Sequence, residues 1–161
     1  MKEALKNDYD KVAEGEHEDE EFFTSDTNEE ELPFWAKAVT TVEMAENVAT
    51  VLIGRTAVAK VALRKWLADD NALLRYAAML VGGRCNELDI NDIAESLTKA
   101  LSDVPVGLEV VTAHGAAVLL STCGARSEEQ RLAARAFIDT LPEGSLRERI
   151  EDEASWQLDQ Y

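Results

Sequence analysis

The sequence predicts an all-α protein of about seven antiparallel helices, preceded by an acidic tail. Three observations carry this. From Pro33 almost to the C-terminus, apolar residues recur three and four positions apart, the period of a helix with one buried face. The two-residue alternation of a half-buried strand is absent there. Glycines, prolines and capping residues break the pattern at intervals of a helix length.

The tail comes first. Residues 1–32 hold thirteen acidic residues and three lysines, a net charge of -10, and residues 33–161 carry the remaining -6 of a total of -16. A segment so charged and so poor in apolar residues cannot offset the entropy of ordering itself. The expected organisation is therefore a flexible tail over 1–32 and one helical domain over 33–161. Phe22 and Phe23 stand in the tail with no core of their own, a pattern that suits docking on the helices or on a partner. Glu21-Phe22-Phe23-Thr24-Ser25 resembles the aromatic centre of short motifs that bind major-sperm-protein domains, with Thr27 where a later acid is expected.

Pro33 suits a first helical turn, and a first helix is expected over 34–53, closed by Gly54. The second, over 56–68, gathers Ala59, Leu63, Trp66 and Leu67 on one face. Asp69-Asp70-Asn71 makes a turn and caps the third, whose inner face is Leu74, Ala77, Ala78 and Val81 and whose end is Gly82-Gly83. The fourth starts at 89–91, carries Ile93, Leu97, Ala100 and Leu101, and breaks at Val104-Pro105. The fifth runs over 106–123. Ser127-Glu128-Glu129-Gln130 and Ser145-Leu146-Arg147-Glu148 read as capping boxes that open the sixth and seventh. Ala133, Ala136, Phe137, Thr140 and Leu141 form the inner face of the sixth, and Leu146, Ile150 and Ala154 that of the seventh. Short links imply antiparallel neighbours.

The chain also repeats itself. Residues 62–69 align with 96–103 at an offset of 34, with leucine, lysine, leucine and aspartate matched in both copies. Residues 62–84 resemble a HEAT-type repeat, two antiparallel helices with an Asp in the turn and an Arg six residues later opening an Ala-rich helix. Here these are Asp69, Arg75 and Tyr76-Ala77-Ala78. The second unit keeps Asp103 but has Glu109 at the Arg position, and the third, about 127–156, keeps only the helical layout. The resemblance implies stacked helical hairpins, an Asp that caps and an Arg that pairs with neighbouring turns. The period also suits tetratricopeptide repeats, whose Trp, Gly and Tyr pattern is missing.

No catalytic constellation is legible. His114 would need a partner such as Glu109, Cys85 or Cys123, and no ligand pair has the spacing of a zinc site. Glu14 and His17 form one carboxylate-histidine pair where a di-iron site needs several. Gly82-Gly83-Arg84 is too short for a phosphate loop. Cys85 and Cys123 end apolar helices and read as small core residues. The expectation is a protein with no enzyme activity, no cofactor and no metal.

Charge narrows the partners. An excess of carboxylates repels nucleic acid and anionic membranes and attracts basic proteins. No run approaches the ~18 apolar residues of a membrane span, and the first residues lack an apolar signal region, so a cytoplasmic protein is expected. The function expected is an acidic protein-binding module. The foremost type is an inhibitor of a basic nucleic-acid-handling protein, an immunity protein or an anti-defence DNA mimic. The alternative is a small acidic chaperone or adaptor for a secreted or assembling partner. A carboxylate patch would be fed by Glu43, Glu46, Asp69, Asp70, Asp103, Glu109, Glu151, Asp152 and Glu153, with Phe22, Phe23, Trp35 or Trp156 as apolar anchors.

Overall fold

A computed structural model describes residues 31–53, 56–84 and 88–159. Phe22, Phe23 and the rest of residues 1–30, as well as Cys85, lie outside the described residues. Those described form eight helices and no strand. They are α1 (Leu32–Ala38), α2 (Val42–Ile53), α3 (Thr56–Leu67), α4 (Ala72–Gly82), α5 (Ile90–Ser102), α6 (Glu109–Gly124), α7 (Glu128–Thr140) and α8 (Ser145–Leu158).

The stretch expected as one helix over 34–53 is two. The chain leaves α1 at Val39, and Thr41 starts α2 afresh, its hydroxyl accepting from Met44 N at 3.1 Å. A β-branched run (Val39-Thr40-Thr41-Val42) is weak helix material, and a Thr that can cap turns the weakness into a corner. The break lets Trp35 turn inward, where it is fully buried and meets Phe34 edge to face at 5.5 Å.

α4 packs on α2 and α3 on one side and on α6 on the other, α6 packs on α7 and α8, and α5 touches α3 and α7. These contacts set α2, α4, α6 and α8 side by side in one layer and α3, α5 and α7 in a second. The core between them is contiguous from Leu32 to Leu158 and rich in Ala, Val and Leu. Every residue expected on the inner faces of α3, α4 and α5 is buried. In α7 the expected face is one residue out of phase. Ala136 and Thr140 are exposed, and Ala134, Phe137, Ile138 and Leu141 are buried. Alanine is apolar enough to suit either phase, so the bulkier Ile138 decides it.

The two capping boxes also differ from expectation. Ser127 caps α7 by accepting from Gln130 N at 3.1 Å. Gln130 does not reach back to Ser127. Its Oε1 accepts from Ile90 N, at the start of α5, at 2.9 Å. α8 begins at Ser145 itself, after Gly144 at φ 155°, a backbone setting that suits glycine. Helix six of the sequence reading begins as expected, whereas the fifth begins at Glu109, not 106, because Pro105 to Leu108 closes a turn with Gly107 at φ 95°.

One buried cation ties the turns together. Arg75 is 6% exposed and carries no carboxylate partner among its hydrogen bonds. Its Nη1 donates to Asp69 O at 3.0 Å and Asp70 O at 2.9 Å, and its Nη2 donates to Asp103 O. The flat guanidinium therefore clamps the α3–α4 turn to the end of α5 through main-chain acceptors. Asp69 itself accepts from Asn71 N, and Asn71, not Asp69, caps α4. Arg147 repeats the device, donating to Leu141 O at 3.0 Å across the α7–α8 turn.

Removing a charged donor from carbonyls held by the fold costs on the order of 3 kcal/mol. Arg75→Ala should lower the urea midpoint by a corresponding amount. Asp103→Asn should change stability by less than ~0.5 kcal/mol, because its main-chain oxygen is the acceptor. Equal losses in the two variants would show that the Asp103 carboxylate matters instead.

Candidate interaction face

α6 can lie close to α4 because glycines stand at their contact. Gly115 of α6 meets Tyr76 and Met79 of α4, and Gly82 of α4 meets Leu119 of α6, all buried. A Cβ at Gly115 would fall 2.9 Å from Cδ1 of Tyr76 and 3.3 Å from Cβ of Met79. The absent methyl is therefore what seats the Tyr76 ring against the α6 backbone.

That contact organises the outer surface of the layer. α4 shows the solvent one narrow stripe, with Leu73 and Leu80 half-buried and Tyr76 3% exposed between them. α6 shows Val110, Val111, His114, Val118 and Thr122 at helical spacing. α2 shows Glu43 and Glu46, both exposed. Burial, and next to it the negative charge of Glu46, push the Tyr76 hydroxyl up to about 12. On the other side His114 Nδ1 meets Glu153 Oε2 of α8 at 2.9 Å. A carboxylate can only accept, so Nδ1 carries the proton. Both side chains are about half exposed, so the pair is a surface bridge between α6 and α8.

The cations are unevenly distributed, while Asp92, Glu95, Glu128, Glu129 and Asp139 put acids on α5 and α7 as well. α2, α4 and α6 together contain Glu43, Glu46 and Glu109 and a single cation, the buried Arg75. On α8 Arg147 is engaged at its turn, which leaves Arg149, one turn before Glu153, as the exposed cation of the four helices. The second layer holds Lys60, Arg64 and Lys65 on α3, Lys99 on α5, and Arg131 and Arg135 on α7. Arg135 reaches across to Asp159 and to Ser155 Oγ.

The acids expected to form a patch fall into two groups. Glu43, Glu46 and Glu153 belong to the outer face of α2, α4, α6 and α8. Asp69, Asp70 and Asp103 are exposed on the turn edge, where Arg75 holds their main chains together. Glu109, exposed on the first turn of α6, lies where that edge meets the face. Glu151 and Asp152 are exposed, but successive helix positions turn by about 100°, which points them away from the bearing of Glu153. Trp35 cannot anchor a partner from inside the core. Trp156, 70% exposed one turn after Glu153, is the aromatic that stands at the surface.

Cys123 is buried at 1% exposure, as expected of a core thiol. Among the described residues no group of three or more His, Cys, Asp and Glu side chains is placed to hold a metal ion, and no helix is long and apolar enough to cross a membrane. Comparison with protein-family models, curated proteins and solved structures finds no match. The chemistry of the face is therefore argued from its own residues.

Two outcomes test this geometry. Gly115→Ala should destabilise the fold by about 1 kcal/mol, because the overpacking cost exceeds the roughly 1 kcal/mol that Ala gains over Gly inside a helix. A stabilised variant would mean that Tyr76 moves aside freely. For Tyr76, the folded pKa lies above the ordinary 10 of an unfolded tyrosine. Its contribution to stability is full below pH 10 and is lost as pH rises through about 12. Followed by NMR of the ring carbon bearing the hydroxyl, the Tyr76 midpoint should fall in Glu46→Gln. An unchanged midpoint would remove Glu46 from the neighbourhood of the ring.

Proposed function

We propose that the protein is a non-enzymatic binding module that captures a basic protein on the outer face of α2, α4, α6 and α8. The partner class proposed is a nucleic-acid-handling protein, inhibited in the manner of an immunity protein or a nucleic-acid mimic. The observation that carries this is the scarcity of cations on this face. The face presents Glu43, Glu46, Glu109 and Glu153 while α2, α4 and α6 offer no exposed Lys or Arg. Such a surface attracts cations over a distance and speeds their capture. It repels phosphates, which argues against direct nucleic-acid binding.

The scaffold we propose is a short stack of HEAT-like hairpins, α3 with α4, α5 with α6 and α7 with α8. Support comes from Arg75 joining turns one repeat apart, from Arg147 making the equivalent bond six residues back, and from the two layers of contacts. Stacked hairpins offer extended surfaces suited to macromolecular partners. The acidic segment 1–30 adds to the negative field whatever its arrangement.

The exposed Val110 and Trp156 favour a second reading, a chaperone or adaptor that holds an apolar client. The exposed large apolar residues Val106, Val110, Leu132 and Trp156 are spread over four elements rather than joined in a channel, so the carboxylate reading ranks first.

The experiment is an affinity capture with the full chain and with a variant carrying Glu43→Gln, Glu46→Gln, Glu109→Gln and Glu153→Gln, washed at low and high salt. The expected result is a basic nuclease, restriction or DNA-binding protein that is released by salt, is not captured by the variant, and loses activity when the wild-type chain is added. A client held through high salt by both chains would overturn the inhibitor reading in favour of the chaperone.

A further inference from the structure

We propose that His114 makes capture on this face depend on pH: when its ring takes up a second proton it holds the Glu153 carboxylate and withdraws it from a basic partner. It rests on the protein-binding reading above and names a regulation of the same face. His114 is the histidine of the described residues, and His17 lies in segment 1–30. Imidazole is the side chain whose charge changes between about pH 5 and 8. The place of this one is set by packing. Ala113, Gly115, Ala116 and Ala117 around it are buried, and Gly115 seats on Tyr76, which turns His114 out to the surface. On α8 the buried Ile150 and Ala154 direct Glu153 to the side that meets α6. Nδ1 and Oε2 come within 2.9 Å there, and the two side chains are 54% and 43% exposed, so protons and a partner both reach the pair.

Nδ1–H donates to the carboxylate, so the second proton goes to Nε2. With the ring neutral, Glu153 keeps its charge, and a lysine or arginine of a partner displaces only a neutral donor. With the ring charged, the partner has to displace another cation, and the pair adds no net charge to the face. α2, α4 and α6 offer no exposed Lys or Arg, so a proton on His114 is the first positive charge these helices show to a partner. The groups around the pair are few. Val110 and Val118, one turn to either side on α6, are uncharged, and from α4 the Tyr76 hydroxyl, pushed up to about 12, stays protonated. On α8 Arg149, one turn before Glu153, is a constant cation. From α7, Arg131 and Arg135 are engaged by Glu128 and Asp159. Asp92, Glu95 and Lys99 of α5 belong to the second layer.

The test uses the full chain and a hexalysine peptide, whose side-chain amines stay charged over the range. Binding is read by calorimetry at about pH 7.5 and about pH 5.5, at equal low ionic strength. The wild-type chain should bind about twofold to fivefold more weakly at the lower pH, the size expected of one exposed ion pair. His114→Gln should bind almost equally at the two, and His17→Gln should keep the wild-type difference. Glu153→Gln should lose most of the difference as well, because the proton on His114 then has no carboxylate to hold. A wild-type chain with no difference overturns the proposal, and so does a His114→Gln or Glu153→Gln chain that keeps it in full. The chain carrying Glu43→Gln, Glu46→Gln, Glu109→Gln and Glu153→Gln tests the underlying reading separately. If it binds hexalysine at the higher pH as tightly as wild type, the capture face itself is wrong. If it binds more weakly while His114→Gln keeps the full difference, the face stands and the part assigned to the histidine falls.

Discussion

The arrangement depends on where one guanidinium is spent. Arg75 is inside the protein, where an unpaired charge is costly, and its demand for acceptors is met by three carbonyls from two turns. Those carbonyls are at the ends of α3 and α5, where helix geometry leaves oxygens without partners of their own. The match is reciprocal, since the buried donor and the orphan acceptors satisfy each other. It sets the α3–α4 hairpin and the end of α5 in register, and with them the relative height of α4 and α6. A face made of residues from four helices is coherent only if those heights are set.

The same economy accounts for the charge pattern. α4 and α6 are enclosed on three sides, so nearly all their positions are apolar or small, and only one stripe of each meets solvent. With α2 supplying glutamates and no cation, α2, α4 and α6 have no exposed Lys or Arg among them. Lys60, Arg64, Lys65, Lys99, Arg131 and Arg135 sit instead on α3, α5 and α7.

Much of the fold was legible in the sequence, because helix formation here is a local matter. The periodic apolar residues of α3, α4 and α5, the Asn71 and Ser127 caps and the Gly82-Gly83 terminus all act within a few residues of themselves. The corner at Val39 to Thr41 was missed because apolar residues continue through it at a helical spacing, and only the β-branched run and a capping Thr mark it. The phase of α7 was missed because alanines populate several of its sides. The site was less legible. His114 pairs with Glu153, 39 residues onward, and Gln130 with Ile90, 40 residues back. No spacing rule reaches that far. The sequence analysis passed over Gly115, although a glycine inside a helix is a signal of close packing. The Asp69 and Arg75 spacing drew attention to Arg75, whose acceptors are main-chain oxygens of Asp69, Asp70 and Asp103.

Gln130 has a bearing on how the chain folds. In the usual capping box its amide would serve its own helix, and α7 could form unaided. Here the carbonyl caps Ile90, and the amide holds the Asp89 carboxylate, whose pKa is lowered first by this bond and then by the Asn91 N–H. The start of α5 is therefore finished by a residue that arrives with a later helix. In an array of independent repeats, each unit could melt alone and nucleation could begin anywhere. A cap lent across 40 residues ties the start of α5 to the presence of α7. Loss of α7 and α8 would then loosen α5 as well, so cooperativity in this small protein extends backwards along the chain.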